Sequence, residues 1–185
     1  MPQTSTAFAQ LRQGSLHSFA ALSQFLSEGA AHDDTRPLRE HLATLSGHIE
    51  QATQARRARQ DAGAIERQVA LLAHCAQEHQ RLLTGMGSAW HALYEFGAYQ
   101  RALRELRDAL ARWRQALAAR DAAAETERFG QFERLAWRTL GEALLVMDIY
   151  EHQGGSPLLA LSTPPRPSRT PLLARLRSWL AARGL

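Results

Sequence analysis

The chain of 185 residues contains no lysine and a single cysteine, Cys75. One cysteine excludes an intramolecular disulfide and a zinc site built from several cysteines. No apolar run approaches the roughly 18 residues of a membrane span. Residues 1–9 also lack the basic and apolar regions of a secretory signal. We therefore expect a cytoplasmic protein, with peripheral contact to a membrane as the one alternative location.

Acidic side chains are missing from the last 32 residues, Gly154 to Leu185, which hold five arginines and five of the seven prolines. The preceding 153 residues carry 17 arginines against 18 acidic residues, so the formal net charge of +4 belongs to the C-terminal segment. A near-neutral body disfavours nucleic acid as a partner, because phosphate binding needs a basic footprint. A basic appendage on such a body indicates a segment that contacts another molecule or surface.

Alternating strand patterns with hairpin turns are absent as well, whereas apolar residues recur at helical spacing along most of the chain. The spacing predicts about five main helices. Their predicted starts are Thr4 or Ser5, Asp34 or Thr35, the break at Gly63, Ser88, and the boundary at Asp121. Each helix has one apolar stripe and must pack against others to bury it. We predict an all-α fold: a multi-helix bundle over residues 1–153, a proline-rich linker over 154–170 and an amphipathic basic C-terminal helix over 171–185.

The stripes of the five helices also predict the core. The expected core residues are Phe8, Leu11, Phe19, Leu22 and Leu26; Leu38, Leu42, Leu45, Ile49 and Ala52; Ile65, Val69, Leu72, Ala76, His79 and Leu83; Leu103, Leu106, Leu110, Trp113 and Leu117; and Phe129, Phe132, Ala136, Leu140, Ala143 and Met147. Such stripes pair between chains as readily as within one, so the sequence leaves a homo-oligomer open.

One short segment occurs twice. Phe96–Arg101 (Phe-Gly-Ala-Tyr-Gln-Arg) resembles Phe129–Arg134 (Phe-Gly-Gln-Phe-Glu-Arg), 33 residues further along the chain. That offset is close to the tetratricopeptide period, and the first copy resembles the second half of such a repeat. A stable stack needs three or more units, and the chain offers two at most. A true repeat and a similarity between two amphipathic helices both remain open.

Histidines provide one candidate metal constellation: His74 with Glu78 on the third helix, and Asp148 with His152 on the fifth. A spacing of four residues puts both members of each pair on one helix face. The first pair is similar to one element of hemerythrin-type di-iron bundles, but the matching His-x3-His element is missing. Both pairs point away from the apolar stripes, so we expect solvated side chains and no metal ligand. His79 lies on its stripe, and we expect a hydrogen bond there.

No catalytic motif is present. Cys75 and His74 are neighbours in sequence, and neighbouring side chains on a helix point about 100° apart, so they do not form a working pair. Neither a Gly-x-Ser-x-Gly elbow nor a glycine-rich phosphate loop occurs. His41 and His48, on one flank of the second helix, are expected at the surface. We therefore expect no catalytic residue and no cofactor.

The C-terminal segment holds the strongest candidate site. Thr170 and Pro171 are an N-cap and a first-turn residue, which together begin a helix. Five apolar residues of that helix fall within an arc of roughly 120°, and two arginines border the arc. These partner-binding or membrane-binding residues are Leu172, Leu173, Leu176, Trp179, Leu180, Arg175 and Arg177. A helix of about 13 residues is marginal alone in water, so it needs its own body, a partner groove or an anionic membrane to form on.

These features favour a non-enzymatic protein–protein interaction module, such as an adaptor, chaperone or assembly factor. It would act through helix–helix contacts and through its C-terminal amphipathic helix. The alternative is a peripheral membrane protein that binds anionic lipid through the same helix. A metal-binding helical bundle is the third hypothesis.

Overall fold

The computed structural model describes residues 18–28 and 35–152, apart from the side chain of His152. Within these ranges the chain forms six helices and no strand: α1 spans Phe19–Glu28, α2 Arg36–Arg57, α3 Ala62–Gly85, α4 Ser88–His91, α5 Tyr94–Ala119 and α6 Ala122–His152. The predicted all-α bundle is confirmed for this part of the chain. The predicted start of the first helix, the linker 154–170 and the C-terminal helix 171–185 lie outside the described residues.

Four long helices, α2, α3, α5 and α6, form an up-and-down bundle in which each contacts two of the others. The largest interface joins α5 and α6. These two run antiparallel: Arg138 of α6 donates to Glu105 of α5 at 2.7 Å, and the Thr139 hydroxyl donates to the Ala102 carbonyl at 3.1 Å. Short connections between the helices favour this arrangement, because they leave room only for antiparallel neighbours.

α2 also runs antiparallel to α6, and polar contacts join them at both ends. Near the start of α2, the Thr35 hydroxyl donates to Glu151 at 3.0 Å. Near its end, the Arg56 guanidinium pairs with Glu125. Thr35 directly precedes α2, so the predicted start of this helix at Asp34 or Thr35 is confirmed. Its hydroxyl makes no capping bond, since it donates to the Glu151 carboxylate of α6 instead.

α1 lies across the seam between α2 and α6. The Ser46 hydroxyl of α2 donates to the Phe19 carbonyl at 2.7 Å, and Arg39 Nε donates to the Leu26 carbonyl at 3.0 Å, so α1 and α2 are antiparallel. The Phe19 ring stacks on Trp137 of α6 with centroids 4.2 Å apart. One short helix thus covers apolar surface of two long ones.

The core consists of the predicted stripes. Every predicted core residue that lies within the described ranges is buried. Complete burial of a leucine, isoleucine or phenylalanine side chain contributes about 1.5–3 kcal/mol each before the entropy of ordering is subtracted. The side chain of Trp113 lies in this core, with its ring centroid 5.0 Å from both Phe129 and Phe132. None of the described helices is both long and apolar enough to cross a bilayer.

The break between α2 and α3 precedes the predicted one. α3 begins at Ala62, so Gly63 lies inside its first turn and does not end a helix. The chain turns instead at Arg59, whose φ is 51°. Asp61 then caps α3, since its carboxylate accepts a hydrogen bond from the Ala64 amide at 2.9 Å. An aspartate cap is a better start signal than a glycine two positions later.

The predicted fourth helix is interrupted. Ser88 begins only the four-residue α4, and α5 starts at Tyr94 after an extended residue, Leu93. This break allows the side chain of Trp90 to lie over the end of the bundle, where its ring stacks on Tyr150 with centroids 3.8 Å apart. The boundary predicted at Asp121 is confirmed, because α6 begins at the next residue.

The two similar segments lie on neighbouring helices of opposite direction. Phe96–Arg101 belongs to α5 and Phe129–Arg134 to α6. Tandem repeats stack equivalent elements in the same direction. The similarity is therefore one of amphipathic pattern between two packed helices, and these segments do not form a tetratricopeptide stack.

Glu125, in the first turn of α6, joins three helices. Its carboxylate accepts two hydrogen bonds from Arg56 of α2, at 3.1 and 3.0 Å, and one from Trp113 Nε1 of α5, at 2.9 Å. The Arg56 guanidinium also lies over the Phe129 ring, 5.1 Å from its centroid. A bidentate arginine–carboxylate pair with a third donor fixes both orientation and spacing.

We expect Glu125→Ala to lower the free energy of unfolding by about 2 kcal/mol, because it leaves the Trp113 N–H without its acceptor and the half-buried Arg56 with only the Thr126 hydroxyl. Urea denaturation followed by circular dichroism measures this change. Glu127→Ala is the matched control: the Glu127 side chain is 73% exposed, against 15% for Glu125. The control should change stability by less than about 0.5 kcal/mol. Equal losses in both variants would contradict this role for Glu125.

Candidate functional site

The strongest site predicted from sequence, the apolar arc of the C-terminal helix, lies outside the described residues. Its members are Leu172, Leu173, Leu176, Trp179, Leu180, Arg175 and Arg177. The place from which the segment departs is described. Glu151, in the last turn of α6, contacts Thr35, so α6 ends beside the start of α2.

Arg39 organises this end of the bundle. Its guanidinium donates to the Leu26 and Phe25 carbonyls, at 3.0 and 3.3 Å, and lies over the Phe25 ring at 5.3 Å from the centroid. The carbonyls at a helix C-terminus lack partners within the helix, and a cation there satisfies them. Burial lowers the pKa of Arg39, an effect that the nearby charge of Glu151 partly opposes. Arg39 thus fixes the end of α1 on α2.

The surface of the described bundle carries few large apolar side chains. Only Leu71 and Tyr94 are exposed among them, at 50% and 74%. They lie on different helices, α3 and α5, and do not continue any of the buried stripes. The described bundle therefore has no broad apolar face of the kind that marks a protein interface.

A polar pair lies inside the core. His79 of α3 is completely buried, and its Nε2 shares a hydrogen bond with the hydroxyl of Tyr99 on α5. The expected hydrogen bond of His79 is confirmed. His41 of α2 is half-buried, not at the surface as expected, and its ring centroid lies 5.9 Å from that of His79. His79 Nδ1 has no hydrogen-bond partner within the described part of the chain.

Burial determines the protonation of both members of this pair. It lowers the pKa of His79 from 6.5 to about 3, and the neighbouring His41 adds a smaller effect in the same direction. It also raises the pKa of the Tyr99 phenol. At neutral pH both groups are therefore uncharged. A neutral imidazole bonded to a neutral phenol suits an apolar core, since neither group brings an unpaired charge into it.

Cys75 lies one helical turn before His79, on the buried face of α3. Burial raises the pKa of its thiol, and the negative charge of Glu78 adds to this effect. A raised pKa reduces the thiolate fraction, and the thiolate is the nucleophile. His74, its neighbour in sequence, is exposed. The expectation that these two do not act as a pair agrees with this geometry.

Three members of the histidine–carboxylate constellation, His74, Glu78 and Asp148, are described, and the side chain of His152 lies outside the described part of the chain. No group of three or more His, Cys, Asp or Glu residues with metal-binding geometry occurs in the part of the chain that is described. His74 is exposed, and Glu78 pairs with Arg81. Asp148, expected in solvent, is half-buried. The reason is that α6 is covered on several sides, by α5, α2 and the Phe19 ring of α1.

Two open pockets lie on the described surface. A polar groove of about 840 Å³ runs between α1 and α2, with Ser23, Arg39 and His48 in its walls. A pocket of about 430 Å³ lies between the α2–α3 and α5–α6 turns, at the end of the bundle away from Arg39 and Glu151. Neither pocket was predictable from sequence, because each depends on which turns and helices lie side by side.

No protein-family model, curated protein or solved structure matches this chain.

The His79 environment predicts a loss of stability in acid. In the unfolded chain the histidine takes up a proton near its ordinary pKa of 6.5, whereas in the fold it stays neutral down to about 3. The unfolded state therefore binds more protons between these values, and stability falls as the pH falls. Between pH 7 and 4 we expect His79→Gln to remove about 3 kcal/mol of the pH-dependent loss in the free energy of unfolding, measured by urea denaturation. Identical pH profiles for the two proteins would refute this assignment.

Proposed function

We propose that this protein is a non-enzymatic protein–protein interaction module, such as an adaptor, chaperone or assembly factor. In this proposal the helical bundle is the rigid body and the C-terminal segment is the binding element. The proposal rests on a difference between the helical bundle and the C-terminal segment. The described bundle buries its predicted stripes, whereas the sequence of residues 171–185 contains one more stripe of the same strength.

The surface of the body supports this division of roles. With only Leu71 and Tyr94 as large exposed apolar side chains among the described residues, the bundle offers little apolar area for a partner. Stable interfaces depend on a few buried aromatic and aliphatic anchors surrounded by a polar rim. Within this sequence, the C-terminal segment has that composition.

The C-terminal sequence indicates the chemistry of the partner groove that it would enter. Leu172, Leu176 and Trp179 follow the i, i+4, i+7 spacing by which an amphipathic helix enters an apolar groove. Arg175 and Arg177 border the stripe, and no acidic residue follows Glu151. An apolar groove with acidic residues at its rim therefore complements the segment.

The position at which α6 ends supports access of the C-terminal segment to a groove on a partner. The chain leaves α6 at the end where Arg39, Thr35 and Glu151 tie α1, α2 and α6 together. From there the proline-rich residues 154–170 precede the stripe. An extended proline-rich chain rises about 3 Å per residue, so this linker would reach about 50 Å from the bundle.

Two single substitutions in the full chain test the proposal. Leu176→Asp places a charge inside the stripe, and Ala174→Asp places the same charge on the opposite side of the predicted helix. We expect Leu176→Asp to abolish capture of partner proteins in quantitative affinity purification, because a buried unpaired carboxylate costs several kcal/mol. Ala174→Asp should retain capture of the same proteins. Loss in both variants, or in neither, would contradict recognition through this stripe.

A vesicle assay separates the protein partner from the membrane alternative. The same three proteins are sedimented with vesicles that contain anionic phospholipid and with neutral vesicles. The proposal predicts no difference between the wild type and Leu176→Asp. Strong binding of the wild type to anionic vesicles, lost in Leu176→Asp and weakened by salt, would favour the peripheral membrane function instead.

A further inference from the structure

Both helix–helix turns at one end of the bundle have the same backbone form. After α2, the Arg59 amide donates to the Arg56 carbonyl, and the Gln60 amide to the Ala55 carbonyl, both at 3.1 Å. After α5, residues 120 and 121 donate in the same pattern, to the carbonyls of residues 117 and 116, at 3.0 and 3.3 Å. This pattern is the Schellman motif, in which the first residue after the helix cap takes the left-handed conformation.

Arginine occupies the left-handed position of both turns. Arg59 has a φ of 51° and Arg120 a φ of 55°, and they are the only described residues other than glycine with positive φ. Glycine is usual at this position, because any side chain strains the left-handed backbone. A positive charge near a helix C-terminus does not require this position: α2 already has Arg56 and Arg57 in its last turn. The two turns thus present arginine where the backbone disfavours it.

The two arginines border the same pocket, the one of about 430 Å³ between the turns. Ile65 and Leu117, which are nearly completely buried, form part of its floor. Ligand pockets in proteins commonly enclose about 300–1,000 Å³ and combine an apolar lining with a few polar groups. This pocket has such a combination, with the polar groups at its rim.

The acidic side chains at the pocket contact groups other than these two arginines within the described part of the chain. Arg56 is paired with Glu125, and the Asp121 carboxylate accepts hydrogen bonds from the first amides of α6, at 3.1 and 3.0 Å. Arg59 and Arg120 are exposed and make no ion pair with any described residue. Two guanidinium groups on one pocket, neither of them ion-paired to a described residue, form a preferred site for a carboxylate or phosphate.

We propose that this pocket binds a small organic anion. Its carboxylate or phosphate contacts Arg59 and Arg120, and its apolar part lies on Ile65 and Leu117. The site goes beyond the proposed function, since it uses the body of the protein and no residue of the C-terminal segment. Its loss would therefore leave the partner capture described above unchanged.

Octanoate is the probe for this site, titrated into the full chain and followed by proton–nitrogen NMR. We expect saturable shifts of the Arg59, Arg120, Ile65 and Leu117 signals. Acetate lacks the apolar part and 1-octanol lacks the charge, so each should bind about tenfold more weakly. Binding of 1-octanol as tight as that of octanoate would overturn the proposal. So would the absence of saturation by octanoate up to about 10 mM.

Arg59→Gly and Arg120→Gly separate a binding role from a folding role. Glycine suits the left-handed position, so each variant should unfold at a temperature no lower than the wild type. Each should nevertheless weaken octanoate binding about tenfold. Arg104→Gln is the matched control, because Arg104 is an exposed arginine of α5 that lies outside the pocket and makes no ion pair with another described residue. Undiminished binding in both glycine variants, or an equal loss in the control, would overturn the proposal.

Discussion

The apolar stripes of α2, α3, α5 and α6 meet in one core, and the rest of the described bundle depends on the burial of these stripes. Amphipathic helices of this kind gain most of their stability from packing and little from intrinsic propensity. Antiparallel neighbours joined by short turns bring the stripes together with little loop entropy. α1 then covers the remaining seam, where Phe19 stacks on Trp137.

Two polar contacts inside or beside the core specify how the helices meet. The His79–Tyr99 bond allows one register of α3 against α5, because a shift along either helix would bury both groups without a partner. Glu125 does the same for α2, α5 and α6, since its carboxylate serves Arg56 and Trp113 together. Apolar packing supplies most of the stability of the bundle, and these contacts reduce the number of ways in which it can pack.

The buried faces were predictable from sequence, because spacings of three and four residues encode them directly, as at Leu103, Leu106 and Leu110. The turns were less predictable: Arg59 and Arg120 take a conformation for which glycine is the usual signal. The contact between His79 and Tyr99 was not predictable from sequence, because the two residues are 20 positions apart on different helices and their contact depends on the register of α3 against α5. The pocket between the turns was not predictable either, because it depends on which turns lie side by side. The C-terminal stripe is still a prediction from sequence.

Within the described part of the chain, the bundle buries its apolar stripes inside one molecule. The most direct measurement is urea unfolding of the full chain at about 1 µM and about 100 µM, followed by helical circular dichroism. A bundle that is complete within one chain predicts coincident curves with the same midpoint. If the stripes pair between chains, folding becomes linked to association, and a midpoint that rises with protein concentration would contradict the claim.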